Sequence, residues 1–291
     1  MKTIVGLGEA LWDMLPQGKQ IGGAPINFAY HAAQTGHEAY AISALGQDTL
    51  GQEFANQLQQ KGMKLIMPLT AYPTGTVKVT LDAKGIPQYN ICQQVAWDYI
   101  PFTTEMEEIA RRTTAVCFGS LAQRNATSRN TIYRFLDTMP NTSETLKIFD
   151  INLRQHYYSK TVIEESLERC NVLKLNDDEL PLVATMLNLD GKENTEQCQA
   201  LLTRYNLKMV IYTCGTKGSF VFSHKAYSFV ETPRVEVADT VGAGDSFTGS
   251  FVGSLLKGKS IHEAHLTAVR IAAYVCTQHG AMPEINHLYT L

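Results

Sequence analysis

A glycine-rich segment that leads into a carboxylate carries the clearest chemistry in the sequence, Asp239-Thr-Val-Gly-Ala-Gly-Asp-Ser-Phe247. The pattern after it predicts a helix rich in small residues. Gly242, Ala243 and Gly244 leave backbone N–H groups uncovered at the start of that helix, where these groups and the helix dipole can hold an anion. Asp245 falls in the first turn, beside the anion site. Such a carboxylate can accept the proton of an alcohol while the N–H groups hold the charge of a phosphoryl group in transfer.

An ordinary glycine-rich turn is the alternative interpretation of this segment, with Asp245 as a favourable acid in the first helical turn. The flanking pairs Asp239-Thr240 and Ser246-Phe247 favour the chemical interpretation over this one.

Three other segments place polar residues where strand patterns end: Asp150-Ile-Asn152-Leu-Arg154, Lys174-Leu-Asn176-Asp-Asp-Glu179 and Thr213-Cys-Gly215-Thr-Lys-Gly218. Arg154 offers a guanidinium group to a phosphate, and surface pairing is the alternative. Asn176 and Glu179 have the spacing of a helix N-cap and its capping-box partner. The third segment by itself is a weak hairpin signal.

The segments between these residues predict how the chain positions them. Short apolar runs alternate with longer stretches of helical period, which indicates a mostly parallel sheet covered on both faces. In such sheets ligands bind beyond the carboxyl ends of the strands. Strands are predicted at Thr3–Gly8, Ala39–Leu45, Ala115–Gly119, Lys147–Ile151, Val172–Asn176, Met209–Cys214 and Arg234–Ala238. Helices are predicted near Pro25–Thr35, Leu50–Lys61, Ser128–Thr138, Thr161–Arg169, Asp178–Leu187 and Thr195–Tyr205.

One region interrupts the alternation. Gly75–Asp82 is apolar at every second position, Ala83-Lys84-Gly85 predicts a turn, and Ile86–Cys92 returns with weaker alternation. This is the pattern of a hairpin with one apolar face. It either extends the main sheet or forms a small flap that excludes water from a reactive phosphate.

Composition bounds the class of protein. The chain has 291 residues, 44% of them hydrophobic, and a formal charge of −3. It therefore has no basic face for nucleic acid, and a small-molecule ligand is favoured. Met1-Lys2 leads directly into an apolar strand pattern without a cleavage site, and no segment approaches the ~20 apolar residues that span a bilayer. These features predict a cytoplasmic protein without a membrane partner.

The Asp239–Phe247 segment resembles the C-terminal signature of the ribokinase-like (PfkB) family of carbohydrate kinases. Gly22–Ala29, continuing through Leu45–Gly51, is similar to the family's N-terminal signature, and Gly8-Glu9-Ala10-Leu11-Trp12-Asp13 is most similar to fructokinases. The resemblance implies an α/β fold with a three-layer, Rossmann-like, mostly parallel sheet. It further implies a single kinase domain over residues 1–291, with a small β lid contributed by about 14–22 and 72–100.

The activity implied by the resemblance is ATP- and Mg²⁺-dependent phosphorylation of a small sugar at its primary hydroxyl. Fructose is the expected sugar; 2-keto-3-deoxygluconate, ribose and nucleosides are the alternatives within the family. A non-catalytic sugar sensor is the alternative of another class.

Roles for individual residues also follow from the resemblance. Asp245 is the expected base, with the anion hole at Gly242, Ala243 and Gly244. Asp13, Gly22, Gly23 and Asn27 are expected to bind the sugar, and the paired glycines to form the hinge to the lid. Residues expected at the nucleotide are Asn176, Glu179 (which orders Mg²⁺ through water), Thr213, Gly215, Gly218 and Arg154.

Two further expectations concern a cation and a partner. Asp239 is compatible with a monovalent cation such as K⁺, although Val241 stands where ribokinases often have Thr. An apolar hairpin face predicts a homodimer formed through the lid.

Overall fold

Strands and helices alternate along most of the chain. The computed structural model describes residues 1–15, 18–81 and 87–289. Its strands are β1 (Thr3–Leu7), β2 (Leu11–Leu15), β3 (Gly18–Gly22), β4 (Glu38–Ile42), β5 (Leu45–Gly46), β6 (Lys64–Ile66), β7 (Leu69–Thr70), β8 (Gly75–Leu81), β9 (Pro87–Ile91), β10 (Thr113–Phe118), β11 (Leu146–Asp150), β12 (Val172–Asn176), β13 (Met209–Thr213), β14 (Ser219–Ser223) and β15 (Tyr227–Val230). Its α-helices are α1 (Ala24–Ala33), α2 (Thr49–Gln60), α3 (Thr104–Arg112), α4 (Ala126–Thr138), α5 (Lys160–Arg169), α6 (Glu179–Leu187), α7 (Asn194–Arg204), α8 (Ala243–Leu256) and α9 (Ile261–Cys276).

The main sheet has nine strands in the order β15-β14-β13-β12-β11-β10-β1-β4-β6. From β13 to β6 every neighbouring pair is parallel. At one edge, β14 pairs antiparallel with β13, and β15 pairs antiparallel with β14. The predicted mostly parallel sheet is confirmed, and five neighbouring strands, β13 to β1, end side by side at the edge where ligands bind in such folds.

Alternate side chains of the central strands enter two separate apolar layers, because successive residues of a strand point to opposite faces. On β1, Val5 packs with residues of α3 to α7 on one face. Its neighbour Ile4 packs with α1, α8 and α9 on the other. The result is the three-layer arrangement that the alternating pattern predicts.

A second, four-stranded sheet has the order β3-β2-β8-β9. The predicted hairpin is present, since β8 pairs antiparallel with β9 and Val77 lies opposite Ile91. Its predicted turn, Ala83-Lys84-Gly85, lies outside the described residues. The hairpin does not extend the main sheet, so that alternative is wrong. Trp12 of β2 anchors this sheet to the core, because its buried ring packs edge-on against Phe54 of α2.

The strand predicted at Arg234–Ala238 is wrong. This segment is exposed and irregular, and its alternating valines, Val235 and Val237, line a cleft instead of joining a sheet. The segment finds no strand partner there: its backbone bonds to the rest of the chain through Ala238 N–H, which donates to the carbonyl of Cys276 at the end of α9. Among the described helices, none is long and apolar enough to cross a membrane.

Candidate active site

The first turn of α8 brings Asp245 to the carboxyl edge of the main sheet. Gly242 caps this helix with a φ of +78°, a left-handed conformation that favours glycine. A Cβ at this position would also lie 2.6 Å from the Cβ of Ala281, so no larger residue fits. The glycines predicted from sequence therefore have a structural reason: they allow the turn that aims α8 at the site.

Asp245 is held by a residue from the other end of the chain. The Nδ2 amide of Asn27, in α1, donates a hydrogen bond of 2.8 Å to Asp245 Oδ2. The two helices can approach this closely because α8 is rich in small residues. A Cβ on Gly249 would lie 2.8 Å from the carbonyl oxygen of Phe28 in α1. Backbone contact between α1 and α8 thus fixes the Asn27–Asp245 pair.

The predicted sugar-binding residues lie near the two connections between the main sheet and the second sheet, Gly8–Ala10 and Gly22–Gly23, which we call the passage. Asp13 lies on β2, directly opposite Gln20 of β3. A Cβ on Gly22 would collide with the carboxylate of Asp13, and a Cβ on Gly23 would collide with the carbonyl oxygen of Glu9. Gly23 also has a φ of +115°. Both predicted glycines are therefore required by close approach, whatever else they do.

Three carboxyl groups lie near this passage, and the charge of Arg154 acts on each of them. The pKa of Asp245 is raised to about 6 on balance: burial is the largest cause and the nearby charge of Asp150 adds to it, while Asn27, Lys174 and Arg154 oppose the shift. Burial likewise raises the pKa of Asp13 to about 6, against the opposing charge of Arg154. Arg154 acts in the same way on the third carboxyl group, Glu9. The charge of Arg154 therefore acts on these carboxyl groups, and the phosphate contact suggested from the sequence stays a prediction.

Lys174 is a functional candidate that the sequence reasoning missed. Its Nζ lies 3.0 Å from Asp150 Oδ1 in a buried ion pair. The same Nζ would lie 3.2 Å from a Cβ placed on Gly244, which puts the cation directly below the predicted anion hole. Burial opposes its charge, but Asp150, Glu179 and Asp245 outweigh that effect and raise the pKa of Lys174. A charged residue inside the apolar strand pattern of Val172–Asn176 was the signal available.

Asn176 and Glu179 form the reciprocal pair that their spacing predicts. The side chain of Asn176 accepts the backbone N–H of Glu179, and Glu179 Oε2 accepts the N–H of Asn176, each at 2.9 Å. Glu179 Oε1 accepts a third hydrogen bond, from the backbone N–H of Leu153. Burial raises the pKa of Glu179. This carboxyl group therefore joins the ends of two neighbouring strands, β11 and β12.

A cleft of about 1030 Å³ opens beside the N-terminus of α8. It is large enough for a nucleotide, since ligand pockets commonly span ~300–1,000 Å³. Four of the six residues predicted for the nucleotide line it, Asn176, Thr213, Gly215 and Gly218, together with Lys174 and with Gly244 of the predicted anion hole. Glu179 and Arg154 are not among the described residues that line it. Asp245 follows Gly244 directly, so it adjoins the lining of the cleft.

Asp239 closes the loop that precedes α8. Its Oδ1 accepts the backbone N–H of Val241 at 3.0 Å, and its Oδ2 accepts that of Gly280 at 3.2 Å. The side chain thus ties the glycine-rich segment to the chain beyond α9. The monovalent cation suggested for Asp239 stays a prediction.

The donors present suit a metal carried by phosphates. Among the described residues, no group of three or more His, Cys, Asp or Glu side chains could hold a metal ion alone. Mg²⁺ usually keeps several waters and is held by one or two carboxylates together with substrate phosphates. Asp150 and Glu179 provide two carboxylates that act on Lys174, and Lys174 lines the cleft. This set fits Mg²⁺ that arrives with a nucleotide.

Comparison with family models gives a match to the pfkB family of carbohydrate kinases over residues 16–287. The chain belongs to this family. The kinase is similar to probable fructokinase-3 of Arabidopsis thaliana, with 26% identity over 97% of this chain and 88% of that protein. It also resembles an uncharacterised sugar kinase of Pyrococcus horikoshii, with a TM-score of 0.84, 22% identity and coverage of 100% of this chain and 97% of the other.

A third similarity is to the fructokinase of Vibrio cholerae O395 in a structure with fructose, ADP and calcium ion bound. The TM-score is 0.80 at 23% identity, over 100% of the kinase and 98% of the other chain. These structural similarities confirm the ribokinase-like α/β fold.

Proposed function

We propose that this carbohydrate kinase is a fructokinase, which transfers the γ-phosphoryl group of ATP to a primary hydroxyl of fructose. The observation that carries the proposal is the position of Asp245. It follows the glycines that border the large cleft, and Asn27 holds it toward the carboxyl groups at the passage to the second sheet. One carboxylate thus stands where a nucleotide phosphate and a sugar hydroxyl would meet. The similarity to fructokinases of known name supports the choice of sugar.

In the proposed reaction, Asp13, Asn27 and the backbone at Gly22 and Gly23 bind the sugar. Ionised carboxylates accept several hydrogen bonds, which suits neighbouring hydroxyls. Asp245 accepts the proton of the attacking hydroxyl. A base with a pKa of about 6 is ionised at neutral pH, and it is stronger than an ordinary aspartate.

The phosphoryl group in transfer is stabilised by fixed positive charge. The backbone N–H groups of Gly242 and Gly244 lie at the start of α8, where that of Ala243 donates to the carbonyl of Thr240 at 3.3 Å, and the Nζ of Lys174 lies close to Gly244. Such preorganised donors stabilise charge that develops in the transition state. Asn176, Thr213, Gly215 and Gly218 would line the nucleotide. Bound Mg²⁺ would neutralise phosphate charge, held through water by Glu179.

The charge balance favours an uncharged sugar. Three carboxyl groups, Glu9, Asp13 and Asp245, lie near the passage, and two cations act on them: Arg154 on all three and Lys174, which is paired with Asp150, on Asp245. A sugar acid such as 2-keto-3-deoxygluconate would bring a further negative charge into this partly desolvated place. A sugar carboxylate would be repelled by the carboxylates there, which costs binding free energy, whereas neutral sugar hydroxyls can donate hydrogen bonds to them.

We also propose that the second sheet is a lid. Its strand β2 leaves the core after Gly8–Ala10, and its strand β3 rejoins the core at Gly23. Closure over the sugar would exclude water from the phosphoryl group.

The test is an assay that couples ADP release to a spectroscopic signal, with ATP, Mg²⁺ and each of fructose, ribose, 2-keto-3-deoxygluconate, adenosine and glucose. We expect turnover with fructose, and a loss of about 10³-fold in kcat for Asp245→Asn, because the amide keeps the shape of the side chain but cannot accept the proton. The control is Asp190→Asn, an exposed acid remote from the cleft, which should leave kcat unchanged.

Other outcomes change specific parts of the proposal. Turnover on a sugar other than fructose would replace the substrate and keep the base. An Asp245→Asn variant as active as the parent would remove the base. A folded protein that binds ATP and phosphorylates none of the five would contradict the proposed function.

A further inference from the structure

Glu9 is a buried acid that the proposed reaction does not use. It lies in the connection between β1 of the main sheet and β2 of the second sheet, and only 2% of its surface is exposed. Its Oε2 has no hydrogen-bond partner within the described part of the chain. An ionised carboxylate in this position would keep only the backbone N–H groups of Glu9 itself and of Ala24 as donors, with its Oε2 unpaired, so the loss of hydration would be costly. The surroundings of Glu9 therefore favour its neutral form.

A second unpaired acceptor lies on the helix that faces Glu9. The carboxyl group of Glu9 faces the backbone N–H of Ala24, at the start of α1. Asn27, three residues further on the same helical face, is 4% exposed, and its Oδ1 also lacks a partner among the described residues. Two acceptors cannot satisfy each other. A protonated Glu9 becomes a donor, and the orphaned oxygen of Asn27 is then an available acceptor.

The charges around Glu9 agree with a neutral acid. The pKa of Glu9 is raised to about 7 on balance: burial is the largest cause and the charge of Asp245 adds to it, while the backbone N–H of Glu9 itself, the charge of Arg154 and the Ala24 N–H oppose the shift. On the neighbouring strand β10, the charges of Glu9, Asp150 and Lys174 also act on the pKa of the Cys117 thiol. The titratable groups of α1 are Tyr30 and His31. The ring of His31 is bonded to the carbonyl of Ala281, and neither group acts on Glu9.

We propose that Glu9 is a positioning residue that works as a neutral acid, donating a hydrogen bond to Asn27 Oδ1 and so fixing the amide that orients Asp245. Glu9 belongs to the connection between core and lid, so the same bond links that connection to the base. Ionisation of Glu9 removes the donor and places a second negative charge near Asp245. This inference rests on the sugar kinase reaction proposed above.

The test compares the dependence of kcat/KM for the sugar on pH, from 5 to 9, in the parent, Glu9→Gln and Glu9→Ala. Glutamine is permanently neutral and donates like the protonated acid. We expect Glu9→Gln to retain activity within about threefold at pH 6.5 and to lose the parent's decline above pH ~7. Glu9→Ala should lose about tenfold or more in kcat, with little change in KM for ATP. Glu108→Gln, at an exposed position on α3, is the control and should keep the parent's profile.

A second measurement needs no activity. The folded pKa of Glu9, about 7, lies above the ordinary value of 4.5. Its contribution to stability is therefore complete below pH ~4.5 and is lost as the pH rises through ~7. The thermal midpoint of Glu9→Gln should thus rise relative to the parent between pH 5 and pH 8.

Each outcome decides the proposal. A Glu9→Gln variant as impaired as Glu9→Ala would show that the charge of Glu9 is needed, and would overturn it. Identical pH profiles for parent and Glu9→Gln would overturn it as well. Absence of turnover on every sugar defeats the proposed function, and with it the positioning role. The unfolding comparison still decides whether Glu9 is a neutral acid.

Discussion

The carboxyl group of Asp245 experiences opposing influences that set the pH at which it can act as a base. Burial and the charge of Asp150 favour its protonated form, and the Asn27 amide, Lys174 and Arg154 favour the ionised form. The balance raises its pKa to about 6, from the ordinary 3.8. Because a base must be ionised, we expect kcat/KM to fall as the pH decreases through ~6. A profile flat down to pH 4.5, measured with a sugar whose binding is not limiting, would contradict this.

A second prediction at the residue scale concerns the Lys174–Asp150 pair. Lys174→Met leaves Asp150 as a buried, unpaired charge, and breaking such a pair costs about 3–5 kcal/mol. It also removes a cation that lowers the pKa of Asp245, so the acid limb of the pH profile should move to higher pH. Urea unfolding and the pH profile measure the two effects.

The double variant Lys174→Met, Asp150→Asn is the matched control for stability, since neither partner is then charged. It should recover most of the lost unfolding free energy without recovering kcat, because the cation below the anion hole is still missing. Equal stability of the single and double variants would show that the ion pair is not the source of the loss.

At the scale of elements, the contact between α1 and α8 positions the base. Gly→Ala inside an exposed helix normally stabilises it by about 1 kcal/mol. At Gly249 the new methyl group would meet the α1 backbone at 2.8 Å from Phe28 O. We therefore expect Gly249→Ala to destabilise the fold by about 1–3 kcal/mol and to lower kcat, because the helices must separate. A thermal midpoint equal to or above that of the parent would contradict the close contact.

The elements also show what the sequence could predict and what it could not. Hydrophobic period was sufficient for the parallel strands of the main sheet other than the short β6, and for the β8–β9 hairpin. It failed at Val235 and Val237, whose alternation serves a cleft wall, because period reports apolar contact and not hydrogen-bonding partners. The resemblance predicted that Asp245 and Asn27 belong to one site. It did not predict the hydrogen bond between them, because that bond depends on the packing of α1 against α8, which no local sequence pattern encodes.

Lys174 and Arg154 illustrate the same limit at the site. Lys174 stands inside an apolar strand. The apolar pattern predicts the strand from the neighbours of Lys174, but it does not predict what the charge of Lys174 contacts. Arg154 was assigned to phosphate from its place in the Asp150-Ile-Asn152-Leu-Arg154 element at the end of a strand. The carboxyl groups on which its charge acts come from β2, from the connection after β1 and from α8, which are remote in sequence, and only the assembled fold brings them together.

At the scale of the whole molecule, nothing in the structure tests the homodimer predicted through the lid, but the packing of the hairpin argues against it. It depended on an exposed apolar face of the hairpin. Val77 and Ile91, two apolar side chains of that hairpin, are buried against the core of the same chain. We therefore expect a mass near 32.3 kDa by light scattering at micromolar concentration. A mass of twice that value would restore the dimer, and loss of the dimer on substitution of exposed Lys78 would assign it to the lid.

The Asn27–Asp245 bond joins residues that are 218 positions apart. A ribosome adds about 5–20 residues per second, so α1 is made about 10–40 seconds before the partner that covers it. During that interval Phe28, which is buried in the finished protein, has no α8 to pack against. A growing chain would therefore present this helix face to chaperones until α8, which begins at residue 243 of 291, has been made. For the same reason, a chain released before that point would lack Asp245, the proposed base.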